Sequence, residues 1–260
     1  MTNQPVFTTP IASVTFVGAG PGSAQHLTLG AYHALQAAKV VIHDRLVGAE
    51  ILALIPATTR RIDAGKEGFG PATPQSDINA ILVAEAQVSA LTGARIVRLK
   101  GGDCGIFGRL DEEMEALEAS GIPFTILPGL TTASVAAASI GQSLTRRGRN
   151  ASLRIVTGHD IAGFAEQDWR GMARKGEVAA IYMGRKSARF IQGRLMMHGA
   201  DPATPVSLCE NVSRPDQRIL PATLATLSNV ASTLTGPAII LYGLAPRHAA
   251  ALPLLNEARA

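Results

Sequence analysis

The chain has 260 residues, enough for one large or two small domains with a substantial core, and no apolar run approaches bilayer-spanning length. Apolar residues make up 47% and aromatics only 4%, so that core must be packed from Ala, Val, Ile and Leu. A net charge of +4 permits an anionic ligand, while the lack of a Lys/Arg tract with interleaved aromatics argues against nucleic acid.

Ser13–Gly18 reads as a strand, Leu27–Ala38 as a helix and Lys39–His43 as a second strand, with another possible over Arg60–Ala64. Thr73-Pro74 has the form of a helix start, cap then proline, and the expected apolar face runs through Ile78, Ile81, Leu82, Val88 and Leu91. Arg95–Leu99 is strand-like. The helix from Leu110 carries Asp111, Glu112 and Glu113 in its first turn, has Leu110, Met114 and Leu117 inward, and ends at Gly121 and Pro123. Phe124–Leu127 follows as a short strand. This βα alternation predicts a parallel, doubly wound sheet.

Beyond about residue 150 strands outnumber helices. Ser152–Thr157, Val178–Met183, Pro205–Glu210, Arg218–Pro221 and Pro237–Tyr242 are strand candidates, with helices only near Ser187–His198 and Thr223–Thr233. The reading is two α/β domains, 1–145 with the parallel sheet and 146–260 with a mixed sheet, hinged near Gly141–Asn150. No internal repeat is evident. Lys39 is the first basic residue, so the start lacks a signal-peptide charge; Cys104 and Cys209 have neither metal-ligand nor disulfide spacing. The expectation is a cytoplasmic protein without a metal or a membrane partner.

The first strand runs into a glycine turn, VGAGPGS, with Gly18, Gly20 and Gly22 spaced G-x-G-x-G. A dinucleotide fingerprint needs its third glycine where Ser23 stands, and Pro21 lacks the N–H a pyrophosphate would use. Asp44, at the end of the second strand, nonetheless lies about where a ribose-binding acid would be in a nicotinamide enzyme. Dinucleotide binding, a phosphate-free nucleoside and a bare turn all stay open here. Two more loops follow strands: RLKGGDCGIFGR from Arg98 and PGLTTAS from Pro128. Gly101-Gly102 admits close backbone approach, and Asp103 can accept from an amine or ribose hydroxyl. Three such loops would line one crevice without a phosphate clamp, which suits S-adenosylmethionine.

The ordered set VGAGPGS, HDRLV, GKEG, RLKGGDCGIFGR, PGLTTAS, LTRRG, SLRIVTGH, YMG, ENVSRPDQR and GPAIILYG, from Val14 to Gly243, resembles the uroporphyrinogen-III C-methyltransferases among the tetrapyrrole methyltransferases. The resemblance implies two α/β domains with the active site in the cleft between them, a homodimer, S-adenosylmethionine as methyl donor and a tetrapyrrole substrate. By that resemblance Pro21, Gly101, Gly102, Asp103, Ile106, Thr131, Thr132, Met183 and Val212 contact the cofactor. Asp44 is implied as proton acceptor and Lys66 as proton donor. A substrate with eight carboxylates calls for a basic cleft, making Arg109, Arg146, Arg147, Arg149 and Arg214 candidate carboxylate binders, together with Lys100 and Arg218. Arg109 could equally pair with Glu112 or Glu113, and Arg98 could simply flank its strand. His43 and His159 read as a strand-end and a turn residue. The chain departs from the family pattern mainly toward the tetrapyrrole, with Cys104-Gly105 in place of a proline and an aromatic, and Val212 in place of a glycine. The implied activity is C-methylation of uroporphyrinogen III at C2 and C7. The alternatives are a methyltransferase for a later precorrin, a non-catalytic tetrapyrrole binder and a nicotinamide-dependent oxidoreductase.

Overall fold

The computed structural model describes residues 14–65, 73–160 and 163–247. The chain divides into two compact units between Leu130 and Thr131. The first contains β1 (Val14–Gly18), α1 (Leu29–Ala37), β2 (Val40–His43), α2 (Ala49–Ala53), β3 (Arg60–Asp63), α3 (Gln75–Thr92), β4 (Ile96–Lys100), α4 (Leu110–Ala119) and β5 (Phe124–Leu127). Its five strands are all parallel in the order β3-β2-β4-β1-β5, as the alternation predicts.

Strand periodicity divides the apolar residues of this sheet between two faces. Val17, Val41, Val97 and Leu99 pack with Ala31 and Leu35 of α1 and Ile51 of α2. Val14, Phe16, Val40, Ile42 and Ile96 pack with Leu82 and Ala86 of α3 and Leu110 and Leu117 of α4. The chain therefore leaves β1 toward one face and β4, its neighbour, toward the other. Adjacent strands with oppositely directed connections open a crevice at their carboxyl ends.

Two helices differ in detail from expectation. In α3 the cap position is Pro74, with no side-chain capping bond, and the helix begins at Gln75. Its buried side combines Leu82, Ala86 and Ser89, whereas Val88 and Leu91 are exposed. The i, i+4 row through Ile78, Leu82 and Ala86 faces the sheet, and Val88 and Leu91 fall outside it. In α4 the expected inner pair Leu110 and Leu117 is buried, but Glu113 is buried with them and Met114 only partly so.

The second unit contains α5 (Thr132–Ser139), β6 (Arg154–Thr157), β7 (His159–Asp160), β8 (Gly163–Phe164), α6 (Trp169–Met172), β9 (Ala179–Tyr182), α7 (Ala188–Met197), β10 (Pro205–Glu210), β11 (Arg218–Thr223), α8 (Leu227–Ser232) and β12 (Ala238–Tyr242). The five-stranded order is β11-β10-β12-β9-β6, with β6 and β9 parallel and the other pairs antiparallel. This is the mixed sheet the strand-rich second half predicts. Ile240 and Tyr242 of β12 face Ile191, Leu195 and Leu227 of α7 and α8. Ile239 and Leu241 face Ala133, Ala136 and Ala137 of α5. α5 packs into this second core, on the same side of the division as the mixed sheet.

Candidate active site

Three loops leave the carboxyl ends of β1, β4 and β5 and meet above the first sheet. Gly20 and Gly102 exchange backbone hydrogen bonds of 3.0 and 2.8 Å, which ties the GPG turn to the GGD loop. A Cβ on Gly18 would stand 2.4 Å from the Gly129 nitrogen, and one on Gly129 would stand 2.3 Å from the Gly102 carbonyl oxygen. No side chain fits at that junction, so glycine is required for all three loops to approach. The loop after β2, which begins at Asp44, packs into the same assembly: a Cβ on Gly48 would lie 2.2 Å from the Gly22 carbonyl oxygen. Asp44, Pro21, Gly101, Gly102 and Asp103 are thus brought to one edge of the sheet. Asp103 Oδ1 accepts from the Gly105 amide at 2.8 Å and the Asp103 carbonyl from Ile106 N–H at 3.2 Å, which fold the GGD loop into a compact turn.

The GPG turn is not organised for phosphate. Glu50, from the first turn of α2, accepts from the Ala24 amide at 3.1 Å and from Ser23 Oγ at 3.2 Å. A carboxylate already occupies the donors that follow Pro21, and its charge repels a second anion there. Periodicity carries no sign of this, because α2 is only five residues long. A neutral or cationic nucleoside ligand fits this turn better than a pyrophosphate does.

Beside the turn lies a buried charge cluster. Arg98, in the middle of β4, is 1% exposed. Its Nε and Nη2 donate to Glu113 Oε2 and Oε1 at 3.0 and 2.9 Å, and Nη2 also donates to Asp44 Oδ1 at 2.6 Å. Nη1 faces the carbonyl oxygens of Leu99 and Ile42 at 3.3 and 3.5 Å. The fork of five N–H groups is therefore matched by five acceptor contacts. Lys100 Nζ reaches Glu113 Oε1 at 2.6 Å. Burial alone would lower the Arg98 value, but the charges of Asp44 and Glu113 outweigh it and hold the guanidinium above its usual range. Burial, reinforced by Arg98, pushes the Lys100 ammonium below the usual lysine value, with Glu113 and Asp44 offsetting part of the shift.

Arg98 is not a strand flank, and Lys100 does not face solvent as a carboxylate binder would. Both lie on the Ile96 side of β4, where every second residue points inward toward α4. Their trace in the sequence is two cations at i, i+2 in an otherwise apolar strand, a pattern that does not by itself separate a buried pair from exposed ones. His43 sits next to Asp44, buried, with Nδ1 3.4 Å from the Asp44 carbonyl oxygen.

The remaining candidates take varied positions. Lys66 lies outside the described residues. Arg109 binds Glu112 through two contacts of 2.7 and 2.6 Å on the surface, the pairing its neighbours allowed for. Arg146 and Arg147 are exposed on the loop before β6, while Arg149 turns back to donate to the Ser143 carbonyl at 2.8 Å and to Asn150 Oδ1 at 3.0 Å. Arg214 is partly buried in the loop after β10, and Arg218 pairs with Glu210 at 3.0 Å. In the second unit the Tyr182 hydroxyl hydrogen-bonds Thr131 Oγ1 and accepts from the Ala133 amide at 3.0 Å, so it fixes the start of α5, where Thr132 is the first residue. Met183 follows Tyr182 with φ of 52° and half of its surface exposed. A left-handed backbone at a non-glycine residue is a strained conformation concentrated at functional positions. Val212 is buried and packs in the core with Ala133 and Ile239, so its side chain presents no open surface to a ligand.

Known proteins share this fold. The family model for tetrapyrrole (corrin/porphyrin) methylases matches residues 13–228. The chain belongs to the tetrapyrrole methylase family. It is 44% identical over 230 residues to siroheme synthase 3 of Aeromonas hydrophila and 43% identical over 230 residues to the siroheme synthase of Edwardsiella ictaluri. Each match covers 88% of this chain but only 48% and 49% of the relative, so the chain spans about half the length of the curated relatives it matches. Among solved structures, uroporphyrin-III C-methyl transferase of Thermus thermophilus complexed with S-adenosyl homocysteine superposes with a TM-score of 0.75 at 33% identity, covering 88% of this chain and 96% of that one. The native form of that enzyme gives 0.75 at 32% identity, covering 88% and 91%. A cobalt precorrin-4 methyltransferase reaches 0.78 at 22% identity, a likeness of fold. The tetrapyrrole methylase fold accounts for the all-parallel first sheet and the mixed second one.

Proposed function

We propose that this tetrapyrrole methylase transfers methyl groups from S-adenosylmethionine to uroporphyrinogen III at C2 and C7, giving precorrin-2. The observation that carries the reading is the likeness to the Thermus methyltransferase, whose structure holds S-adenosylhomocysteine and matches this chain over 88% of its length. The local geometry supports it: a turn whose amide is taken by Glu50, and a close-packed glycine junction that offers backbone rather than phosphate-binding charge.

S-adenosylmethionine, when bound, supplies an electrophilic methyl on a sulfonium. Pro21, Gly101, Gly102, Asp103 and Ile106 are the residues of the first unit assigned to hold it. The Asp103 carboxylate is suited to the cofactor's ammonium or ribose hydroxyls. Thr131, Thr132, Met183 and Val212 are assigned by the family resemblance alone, Val212 through its backbone. The acceptor is an electron-rich pyrrole carbon, and methylation leaves the ring cationic until it sheds a proton. Asp44, a carboxylate at the same edge of the sheet, is assigned to stabilise that charge and accept the proton. Lys66 is assigned as donor. Arg146, Arg147 and Arg214 are assigned to the substrate's carboxylates, and Arg109 and Arg149 would first have to leave their present partners. A homodimer in the cytoplasm completes the reading.

Methylation of a later precorrin is the second possibility within the family, since precorrin methyltransferases share the fold. Equilibrium binding tests the cofactor: S-adenosylhomocysteine is expected to bind, and tight NADPH binding without it would overturn the proposal. Asp44→Asn tests the acceptor. Methyl transfer is expected to fall by about 10²-fold or more, in the range of lost general-base catalysis, and a near wild-type rate would remove Asp44 from that role.

A further inference from the structure

Among the described residues, Asp44 has one carboxylate oxygen engaged and one not. Oδ1 receives Arg98 Nη2 at 2.6 Å, no hydrogen bond reaches Oδ2 among the described residues, and the side chain is 29% exposed. Arg98 is itself fully engaged. Glu113 holds it through two parallel hydrogen bonds, and Glu113 in turn is 0% exposed on α4 and tied to Lys100. The sequence of contacts runs from a helix packed on the sheet, through a fully satisfied guanidinium, to a carboxylate at the sheet's open edge.

We propose that Arg98, clamped by Glu113, is a positioning residue that anchors Asp44 Oδ1 and leaves Oδ2 as the oxygen presented to substrate. The assignment rests on the reading of Asp44 as the proton acceptor and deepens it. Anchoring by a planar fork fixes direction as well as charge, because the same Nη2 that binds Asp44 also binds Glu113. A floating carboxylate would sample several rotamers, and a misplacement of about 1 Å costs a reaction up to 10²-fold. The cluster is balanced, with Arg98 and Lys100 opposite Asp44 and Glu113, so it anchors the acceptor without burying unpaired charge.

The test uses Arg98→Lys, which keeps the charge but cannot bridge both carboxylates. The single-turnover methylation rate is expected to fall about tenfold or more, with KM and S-adenosylhomocysteine affinity within about twofold of wild type. In an Asp44→Asn background the same change is expected to have no further effect on the rate, because the group being positioned is gone. Losses that multiply in the double variant, or a wild-type rate in Arg98→Lys alone, overturn the positioning role. If Arg98→Lys loses S-adenosylhomocysteine binding and so its fold, Glu113→Gln, which loosens the clamp isosterically, takes its place with the same pair of expectations. Asp44→Asn at the wild-type rate sinks the acceptor reading and this one with it, whereas a slow Asp44→Asn beside a fast Arg98→Lys sinks only this one. Should uroporphyrinogen III not be methylated by the wild-type chain, a crystal structure of Arg98→Lys decides. Asp44 displaced from its rotamer supports the anchor, and Asp44 unmoved overturns it.

Discussion

Among the described residues each unit buries one glutamate at its sheet, and the two are satisfied in opposite ways. Glu113 of the first unit is held by two cations, Arg98 and Lys100, and through Arg98 it reaches Asp44. Glu210 of the second unit is held mainly by backbone. Its Oε1 accepts from the Thr235 and Gly236 amides at 2.6 and 2.5 Å, and Arg218 approaches Oε2 from a half-exposed position. A carboxylate bound to amides stitches a loop to a strand and leaves nothing over for chemistry. A carboxylate bound to buried cations organises other side chains. The cation-bound arrangement costs more desolvation and is the one found beside the converging glycine loops.

Breaking the cluster in the first unit should have the larger consequence. Arg98→Ala leaves buried Glu113 with Lys100 and a long contact of 3.4 Å from the Gln75 side-chain amide, so unfolding free energy from urea titration is expected to drop by about 3–5 kcal/mol, the range for a broken buried ion pair. A loss comparable to that of a surface ion pair would mean that the cluster is far wetter than its burial indicates.

Glu210→Gln sharpens the contrast from the other side. Losing the charge-assisted bonds to two amides and Arg218 is expected to cost about 1.5–3 kcal/mol at neutral pH. Burial raises the Glu210 value, but the Gly236 and Thr235 amides with Arg218 outweigh it and hold the carboxyl below its usual 4.5. With the folded value lower than the unfolded one, the stabilisation is complete above the unfolded value and is lost as pH falls through the folded value. Urea midpoints measured from neutral pH downward should therefore show wild type and Glu210→Gln converging only in the acid limb. Convergence at neutral pH would contradict the backbone-held reading.

A surface pair supplies the baseline. Arg109→Ala removes a cation that, like its partner Glu112, is about half exposed, and little or no loss is expected in the same titrations. The smallest effect belongs to the thiols. Burial pushes Cys209 up to about 12 and also raises Cys104, with Asp103 adding to the latter. Neither should react with a thiol reagent at mildly alkaline pH until the chain is unfolded, and labelling of the native protein would show that one of these cores opens.

Much of this architecture was legible in the sequence because periodicity and glycine placement report on backbone. The strand runs of both sheets stand close to where the apolar runs put them, and the glycines after β1, β4 and β5 foretold three loops at one edge. The short elements were hidden. The five residues of α2 carry too little periodicity to register, and PGLTTAS from Pro128 reads as a loop although the alanines that follow it favour a helix. The candidate site was legible in its glycines and in Asp44, but not in its support. Arg98 and Glu113 look like ordinary surface charges one at a time, and only their facing positions on β4 and α4 make them a buried pair. Glu50 was missed for the same reason, since its partner amide is 26 residues away along the chain.

The most direct test of the central claim is the mass of the tetrapyrrole recovered after anaerobic incubation of the chain with uroporphyrinogen III and S-adenosylmethionine. A product heavier by two methyl groups, with S-adenosylhomocysteine released in step, is the predicted result. A tetrapyrrole of unchanged mass in the presence of bound S-adenosylmethionine would contradict it.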